Sequence, residues 1–432
     1  MSTPARTVAF QTVGCKLNYA ETDTLQRSFA AQGFHPVSFH QVADVYVINT
    51  CSVTAQADRD CRKLVRQARR RNPSAFIAVT GCYAQLQPDT LQAMEEVNAV
   101  FGSREKFSLL DSLLEEESLQ RSVLTSPVES LTTFQPSYSL EHRTRAYLKV
   151  QDGCDYPCTY CTIPQARGRS RNGSIAELVE QARTMAAAGA RELVLTGVNV
   201  GDFGRTTGER FADLLRALQV ETSLDRIRIS SLEPNLLSDE ILDLMAEPNT
   251  SLAPHLHLPL QSGSNRILRT MKRRYRREQV AERVRSLHLR LPEAAVGIDV
   301  IVGFPGEGDA EFQETEDFLT DLDCTYLHVF SFSPRPGTPA ADYPRQVDRR
   351  EIARRSARLR QLSTLKRRRF QERWLNREAP VLFEYTREGY WWGHTPEYIL
   401  VRVPAEEENL HNRIRPVLLS RNGGAYMEGQ LS

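Results

Sequence analysis

The stretch DGCDYPCTYC, residues 152–161, sets Cys154, Cys158 and Cys161 in a C-x3-C-x2-C pattern directly after the apolar run AYLKVQ (146–151). Three soft thiolates in one short loop can wrap a metal cluster. Zinc competes for such a loop, but a structural zinc site takes four ligands, usually as two C-x2-C halves. No second half and no nearby histidine completes this one. A 4Fe–4S cube held by three cysteines instead keeps one iron open for a substrate or cofactor.

Outward from that loop, apolar runs alternate with helical patterns. ELVLTGV (192–198), RIRISSL (226–232), HLHLPL (255–260), GIDVIVGF (297–304) and TYLHVFSF (325–332) continue the strand series, with helices near 174–189, 208–219, 236–246, 264–290 and 309–322. Such repetition predicts an α/β core over residues 141–373, a partial (β/α)6 barrel whose ligands sit at the C-terminal ends of its strands. The loops TGVN (196–199), SSLEPN (230–235), PLQSGS (259–264) and VGFPGE (302–307) fall at those ends.

Upstream, VAFQTV (8–13), VYVINT (45–50), AFIAVT (75–80) and NAVFG (98–102) alternate with helical patterns at 21–32, 54–71 and 87–96. This predicts a separate parallel α/β domain over 1–120. Residues 121–140, in a Ser-, Thr- and Pro-rich stretch, read as a linker. After a long basic helix (348–374), the runs PVLFEYT, GYWWGHT, YILVRVP, RIRPVLLS and GAYMEGQ predict a small β-barrel over 374–432, of a kind that often binds oligonucleotides.

Three further cysteines share one structural position. Cys15 follows the first strand in TVGCKLN, Cys51 the second in INTCSVT and Cys82 the third in VTGCYAQ. Loops at the C-terminal ends of adjacent parallel strands converge on one sheet edge. One such cysteine reads as a small buried hydrophobe; three in register read as a second cluster site. Cys61 and Cys324 match neither pattern and are expected to be structural thiols.

Of the 432 residues, 41% are hydrophobic and 25% charged, which excludes a disordered chain. No apolar run approaches a membrane span, and the N-terminus lacks a secretory pattern. The expected compartment is the reducing cytoplasm, where cysteines serve as ligands or reactive thiols more than as disulfides. The net charge is only +1, yet the basic residues are concentrated: seven in 59–71, seven in 266–277 and eleven in 345–369. Three such stretches on a neutral body point to a phosphate-rich partner. In the tail, Tyr390, Trp391, Trp392 and Tyr398 are candidates for base stacking, with core packing as the competing role. Arg167, Arg169 and Arg171 could hold phosphate, a cofactor carboxylate or nothing.

The cluster loop after the first of six barrel strands resembles the radical S-adenosylmethionine enzymes. Together with the second cysteine trio and a TRAM-like terminal barrel, the whole chain resembles the methylthiotransferases. GCKLN, IPQARGRSR and HVFSFSPRPGTPA are most similar to the branch acting on threonylcarbamoyladenosine beside the tRNA anticodon, at position 37. Related branches act on isopentenyladenosine in tRNA or on an aspartate of a ribosomal protein.

The resemblance implies two [4Fe–4S] clusters, an auxiliary one on Cys15, Cys51 and Cys82 and a radical-generating one on Cys154, Cys158 and Cys161. It implies S-adenosylmethionine as both methyl donor and radical source, held by Tyr160, Gly197, Asn199, Glu233, Gln261, Gly303, Pro305 and Gly306. One cofactor methylates a sulfur at the auxiliary cluster. A second yields a 5′-deoxyadenosyl radical that removes the substrate hydrogen, and the methylthio group is then taken up. A flavodoxin or ferredoxin supplies electrons to a cytoplasmic monomer whose partner is tRNA; the sulfur donor is not implied.

Overall fold

Strand–helix alternation in the first hundred residues produces one parallel sheet. The computed structural model describes residues 6–115, 121–140, 144–406 and 408–432. Its N-terminal strands lie in the order His35–Val37, Thr7–Thr12, Val45–Thr50, Phe76–Gly81, Ala99–Phe101 and Ser122–Leu124. All five pairings are parallel. Val45–Thr50 is buried along its whole length, as a central strand covered on both faces must be. Alternation sorts its side chains: Tyr46 and Ile48 join one apolar layer with Cys61, Val65 and Ile77, while Val45 and Val47 join another with Phe29 and Phe101.

Part of the stretch expected to be a linker is a sheet element. Ser122–Leu124 pairs with Ala99–Phe101 as the sixth strand. Three residues show no period of their own, so the sheet edge and not local pattern defines this strand. Residues 117–120 and 141–143 of that Ser-, Thr- and Pro-rich run lie outside the described residues.

The chain divides into two compact units. One holds Met1–Glu141, Tyr147–Gly173 and Ser333–Ala341; the other holds His142–Ala146, Ser174–Phe332 and Asp342–Ser432. All six expected core strands are present. Arg145–Lys149 is the first of them, and Glu192–Thr196 and Arg226–Ile229 pair in parallel. His255–Gln261, Ala295–Val302 and Tyr326–Ser331 form a second parallel set. Two isolated parallel bridges, Ile227–Leu252 and Ser231–His257, continue the series between the sets.

The expected single helix over 264–290 is two, Asn265–Thr270 and Arg277–Arg290. Lys272 takes the left-handed φ of +56°. The N–H of Arg273 then reaches Leu268 O at 2.9 Å and that of Lys272 reaches Arg269 O at 3.0 Å. This is a Schellman stop built on lysine where glycine is usual.

The tail closes into the expected barrel, in the order Glu378–Arg387, Tyr390–His394, Leu400–Pro404, Met427–Leu431, Ile414–Asn422. Its core includes Val381, Phe383, Trp391, Val401 and Met427, and is continuous with Phe370, Trp374 and Ala295. The barrel therefore shares its interior with the basic helix Arg349–Glu372 that leads into it. Among the described residues, no helix is long and apolar enough to cross a membrane.

Candidate functional site

Each N-terminal cysteine stands where a strand ends. Cys15 is the N-cap of the helix Lys16–Ala31, Cys51 follows Val45–Thr50 directly, and Cys82 opens the helix Cys82–Leu86. Because the three strands are neighbours, their loops meet. Asn18 ties the first two, donating to Val13 O at 3.1 Å and Thr50 O at 3.0 Å. Thr50 ties the second to the third: its hydroxyl donates to Thr80 O at 2.5 Å and accepts the Tyr83 N–H at 3.2 Å.

Gly14 has no room for a side chain. It takes a φ of +126°, and a Cβ there would lie 2.6 Å from the Cys51 Cβ and 3.3 Å from its Sγ. Burial first, and then the neighbouring Cys82 and Cys15, push the Cys51 thiol up to about 12 against the Val53 N–H and Arg167. Thiols gathered at neighbouring strand ends are a donor set that a metal centre completes by displacing protons. The set fits a cluster held on one face.

The second trio hangs from a small hairpin, Gln151–Asp152 against Arg171–Asn172. The Cys154 N–H donates to Gly168 O at 3.0 Å, and that of Cys161 to Cys158 O at 3.1 Å. Cys154 Sγ accepts the Tyr156 N–H at 3.4 Å and Cys161 Sγ accepts the Ile163 N–H at 3.5 Å. Amide donors aimed at sulfur stabilise thiolates and tune clusters bound to them. Gly153, with φ +68°, lets the loop turn where a Cβ would lie 2.0 Å from Arg169 O. All three cysteines are half-buried, accessible enough for an open ligand position.

Both trios belong to the same unit, with a buried charge group beside them. Arg167, from the short helix Ile163–Arg167, pairs with Glu21 Oε1 and Asp152 Oδ1, each at 3.0 Å. Burial alone would raise the Glu21 carboxyl, but Arg167, Lys106 and Lys149 hold it far below the usual carboxylate range. Of the three arginines with open roles, Arg167 and Arg171 are thus internal ion-pair partners, and Arg169 is exposed at 3.6 Å from Asp155. The segment Ser333–Ala341 packs on both loops. Arg335 donates to Ser52 Oγ at 2.7 Å and Asp58 Oδ2 at 2.5 Å, and the Ala340 N–H donates to Thr159 O at 2.9 Å.

Comparison with known proteins decides what this arrangement is. Residues 7–102 match a family described only as uncharacterized protein family UPF0004, and residues 148–319 match the radical SAM superfamily. The chain is 38% identical to the threonylcarbamoyladenosine tRNA methylthiotransferase MtaB of Bacillus subtilis, over 98% of this chain and 96% of that protein. It is 40% identical to the MtaB of Aquifex aeolicus, over 87% of this chain and 92% of the other. The chain belongs to the radical S-adenosylmethionine tRNA methylthiotransferases, in the MtaB branch.

Membership implies S-adenosylmethionine and a [4Fe–4S] cluster. A tRNA-2-methylthio-N(6)-dimethylallyladenosine synthase of Thermobifida fusca is also similar, at 35% identity over 88% of this chain and 78% of the other. Among solved structures, the radical S-adenosylmethionine methyltransferase TsrM of Kitasatospora setae, with cobalamin and a [4Fe–4S] cluster bound, shares the fold. Its TM-score is 0.55 at 16% identity, covering 78% of this chain and 77% of that one.

In this methylthiotransferase the cofactor candidates of the second unit stand at strand ends. Gly197 and Asn199 follow Glu192–Thr196, Glu233 follows Arg226–Ile229, Gln261 ends His255–Gln261, and Gly303, Pro305 and Gly306 follow Ala295–Val302. Tyr160 lies in the cluster loop of the first unit. Glu233 is engaged by Arg273, which opposes the upward push of burial on its carboxyl. Gly303 serves packing: a Cβ there would lie 2.3 Å from Ile352, and its N–H donates to Glu307 Oε1 at 2.9 Å.

Cys61 and Cys324 are buried, with thiols raised by burial to about 12 and about 11. Trp391 and Trp392 are 9% and 8% exposed, so neither is presented for stacking. Their indole N–H groups donate to Glu408 O and Arg387 O at 3.2 and 3.3 Å. Tyr390 instead clasps Arg402, whose guanidinium lies 4.1 Å from its ring centre and 4.3 Å from that of Tyr426. Many basic residues are also internally engaged: Arg69 binds carbonyls of Pro73, Ala75 and Glu96, and Arg355 pairs with Glu307 and Asp309. Arg269, Arg273, Arg274 and Arg276 line a cleft of about 810 Å³ with Asn265 and Gln279.

Sequence reasoning did not single out Asn18, Glu21, Lys106, Lys149, Asp152 or Arg335. It also passed over His257, Asp299 and His328, one on each of three adjacent strands. Burial would raise the Asp299 carboxyl, but hydrogen bonds from both histidines hold it at about 2. Two strands did carry a signal, since HLHLPL and TYLHVFSF place histidines at alternate positions of otherwise apolar runs.

Proposed function

We propose that this chain adds a methylthio group to C2 of N6-threonylcarbamoyladenosine, next to the tRNA anticodon at position 37. The observation that supports it is the pair of three-cysteine groups in one unit of a chain aligned nearly end to end with MtaB relatives. Cys154, Cys158 and Cys161 would hold the radical-generating [4Fe–4S] cluster, and Cys15, Cys51 and Cys82 the auxiliary one. When bound, these clusters would supply the electron that cleaves S-adenosylmethionine and the sulfur that is transferred.

The chain's own part is positioning. Amide donors fix the sulfurs of the second trio, and Asn18 and Thr50 hold the first trio's loops in register. Tyr160 and the strand-end residues Gly197, Asn199, Glu233, Gln261, Gly303, Pro305 and Gly306 would orient two S-adenosylmethionine molecules in turn. Bound there, S-adenosylmethionine would supply the methyl group in one role and the hydrogen-abstracting radical in the other, with a flavodoxin or ferredoxin as the electron source for the cluster. Hydrogen abstraction by a radical needs no acid–base pair, so no catalytic dyad is required. The reading divides the chain into an auxiliary-cluster domain (1–120), a linker (121–140), a radical core (141–373) and a TRAM-like barrel (374–432) that contacts tRNA, working as a cytoplasmic monomer.

Anaerobically reconstituted protein, given S-adenosylmethionine and a reductant, should methylthiolate tRNA bearing threonylcarbamoyladenosine and leave isopentenyladenosine tRNA unchanged. The reverse preference would move the substrate to the dimethylallyladenosine branch. Cys158→Ala should abolish both 5′-deoxyadenosine formation and product. Cys51→Ala should keep 5′-deoxyadenosine formation and lose product; full thiomethylation by Cys51→Ala would refute the auxiliary site.

A further inference from the structure

Six charged side chains are buried together in the first unit, none more than 7% exposed. Lys106 Nζ lies 2.5 Å from Glu21 Oε2 and Lys149 Nζ 3.2 Å from Glu21 Oε1. Lys149 also lies 3.3 Å from Asp152 Oδ2, and Arg171 Nη2 3.1 Å from the same oxygen. Arg167 pairs with both carboxylates at 3.0 Å. Four cations thus share two carboxylates, and among the described residues these cations make no other ion pair. The Phe107 ring, 5.3 Å from Lys106 Nζ and 5.4 Å from Lys149 Nζ, softens the excess without cancelling it. An uncompensated buried charge is costly, because desolvation is not repaid by a partner. A group with two surplus positive charges is stable where anions are meant to sit beside it.

The surplus faces both cysteine trios. Arg167 Nη2 donates to Asn18 Oδ1 at 2.6 Å, and the Cys15 Sγ lies 3.8 Å from that oxygen. On the other side, Asp152 Oδ1 accepts from Arg167 and also accepts the Gly153 N–H at 2.8 Å, where the Cys154 loop begins. One guanidinium is therefore two hydrogen bonds from Cys15 and two from Gly153, the residue before Cys154. A [4Fe–4S] cluster on three thiolates carries about one net negative charge when oxidised, and gains another on reduction. Two such clusters would neutralise the group.

We propose that Arg167 is a positioning residue shared by both cysteine sites, its charge favouring an anionic cluster at each. The proposal rests on the two-cluster reading, so the experiment first tests that reading separately. Full-length protein reconstituted anaerobically should hold about eight irons, falling to about four in Cys51→Ala and in Cys158→Ala. A wild-type count of about four would remove the premise, whatever Arg167 does.

With the count established, redox titrations followed by electron paramagnetic resonance read each cluster alone in those two backgrounds. Arg167→Gln should move both midpoint potentials to more negative values, because reduction adds negative charge that the arginine no longer offsets. Arg167→Lys should recover most of the shift. The melting temperature should fall further in the loaded protein than in the apoprotein, since the apoprotein carries the surplus without its anions. Should Arg167→Gln not fold, Arg171→Gln removes a charge at the group's edge and should shift potentials the same way by less. Unchanged potentials in both backgrounds, a shift in only one, or an equal loss of melting temperature with and without clusters would each overturn the proposal.

Discussion

At the scale of single residues, the cysteine loops depend on positions where a side chain is forbidden or a charge is required. Gly153 combines a left-handed φ with a carbonyl where a Cβ would stand. Gly153→Ala should therefore cost about 1–3 kcal/mol and loosen the Cys154 loop, read as a lower melting temperature and faster iron loss. Glu192 is a charge requirement. Burial would raise its carboxyl, but Arg228 at 2.7 Å brings it to about 2 from an ordinary 4.5. Its contribution, about 3 kcal/mol, is whole above pH 4.5 and is lost as the pH falls through 2. Urea midpoints measured from pH 6 to pH 2 should fall more steeply for the wild type than for Glu192→Gln.

The placement of six cysteines, three at strand ends and three in one loop, was legible because spacing and strand-end position repeat along the chain. Glu21 was not, because its partners Lys106, Lys149 and Arg167 lie 85, 128 and 146 residues away. Charges neutralised only in the folded chain leave no local pattern. Trp391 and Trp392 were ambiguous for a related reason, since an alternating strand does not say which face meets the core until the barrel closes.

Elements were legible where their period was long. All six core strands and the five barrel strands follow from apolar runs bounded by turns. Ser122–Leu124 is defined by the edge it joins, and the break at Lys272 lacks the glycine that would have announced it. The break makes its own test. Lys272→Gly should relieve the left-handed φ and raise stability by up to about 1 kcal/mol, measured by urea unfolding. Unchanged or lower stability would mean that the lysine side chain offsets the strain through contacts of its own.

For the whole molecule, the barrel is bound into the second unit by more than a covalent link. Its core runs into Phe370 and Ala295, and Arg226 and Arg228 donate to His394 O and Pro396 O, both at 2.9 Å. Truncation after Arg373 should weaken tRNA binding at least about tenfold while leaving both clusters, and should also lower the melting temperature by exposing Phe370. Unchanged tRNA affinity would remove the barrel from the RNA surface. Substituting the exposed Arg387, Arg413 and Arg421 by Glu separates the two effects, since these should lower affinity and its salt dependence with little loss of stability.

The most direct measurement is mass spectrometry of tRNA nucleosides from cells with and without this gene, and with the gene carrying Cys51→Ala. The account expects methylthiolated threonylcarbamoyladenosine to vanish and its unthiolated precursor to accumulate in both altered strains. Loss of the isopentenyladenosine counterpart instead, or no change in any tRNA nucleoside, would contradict it.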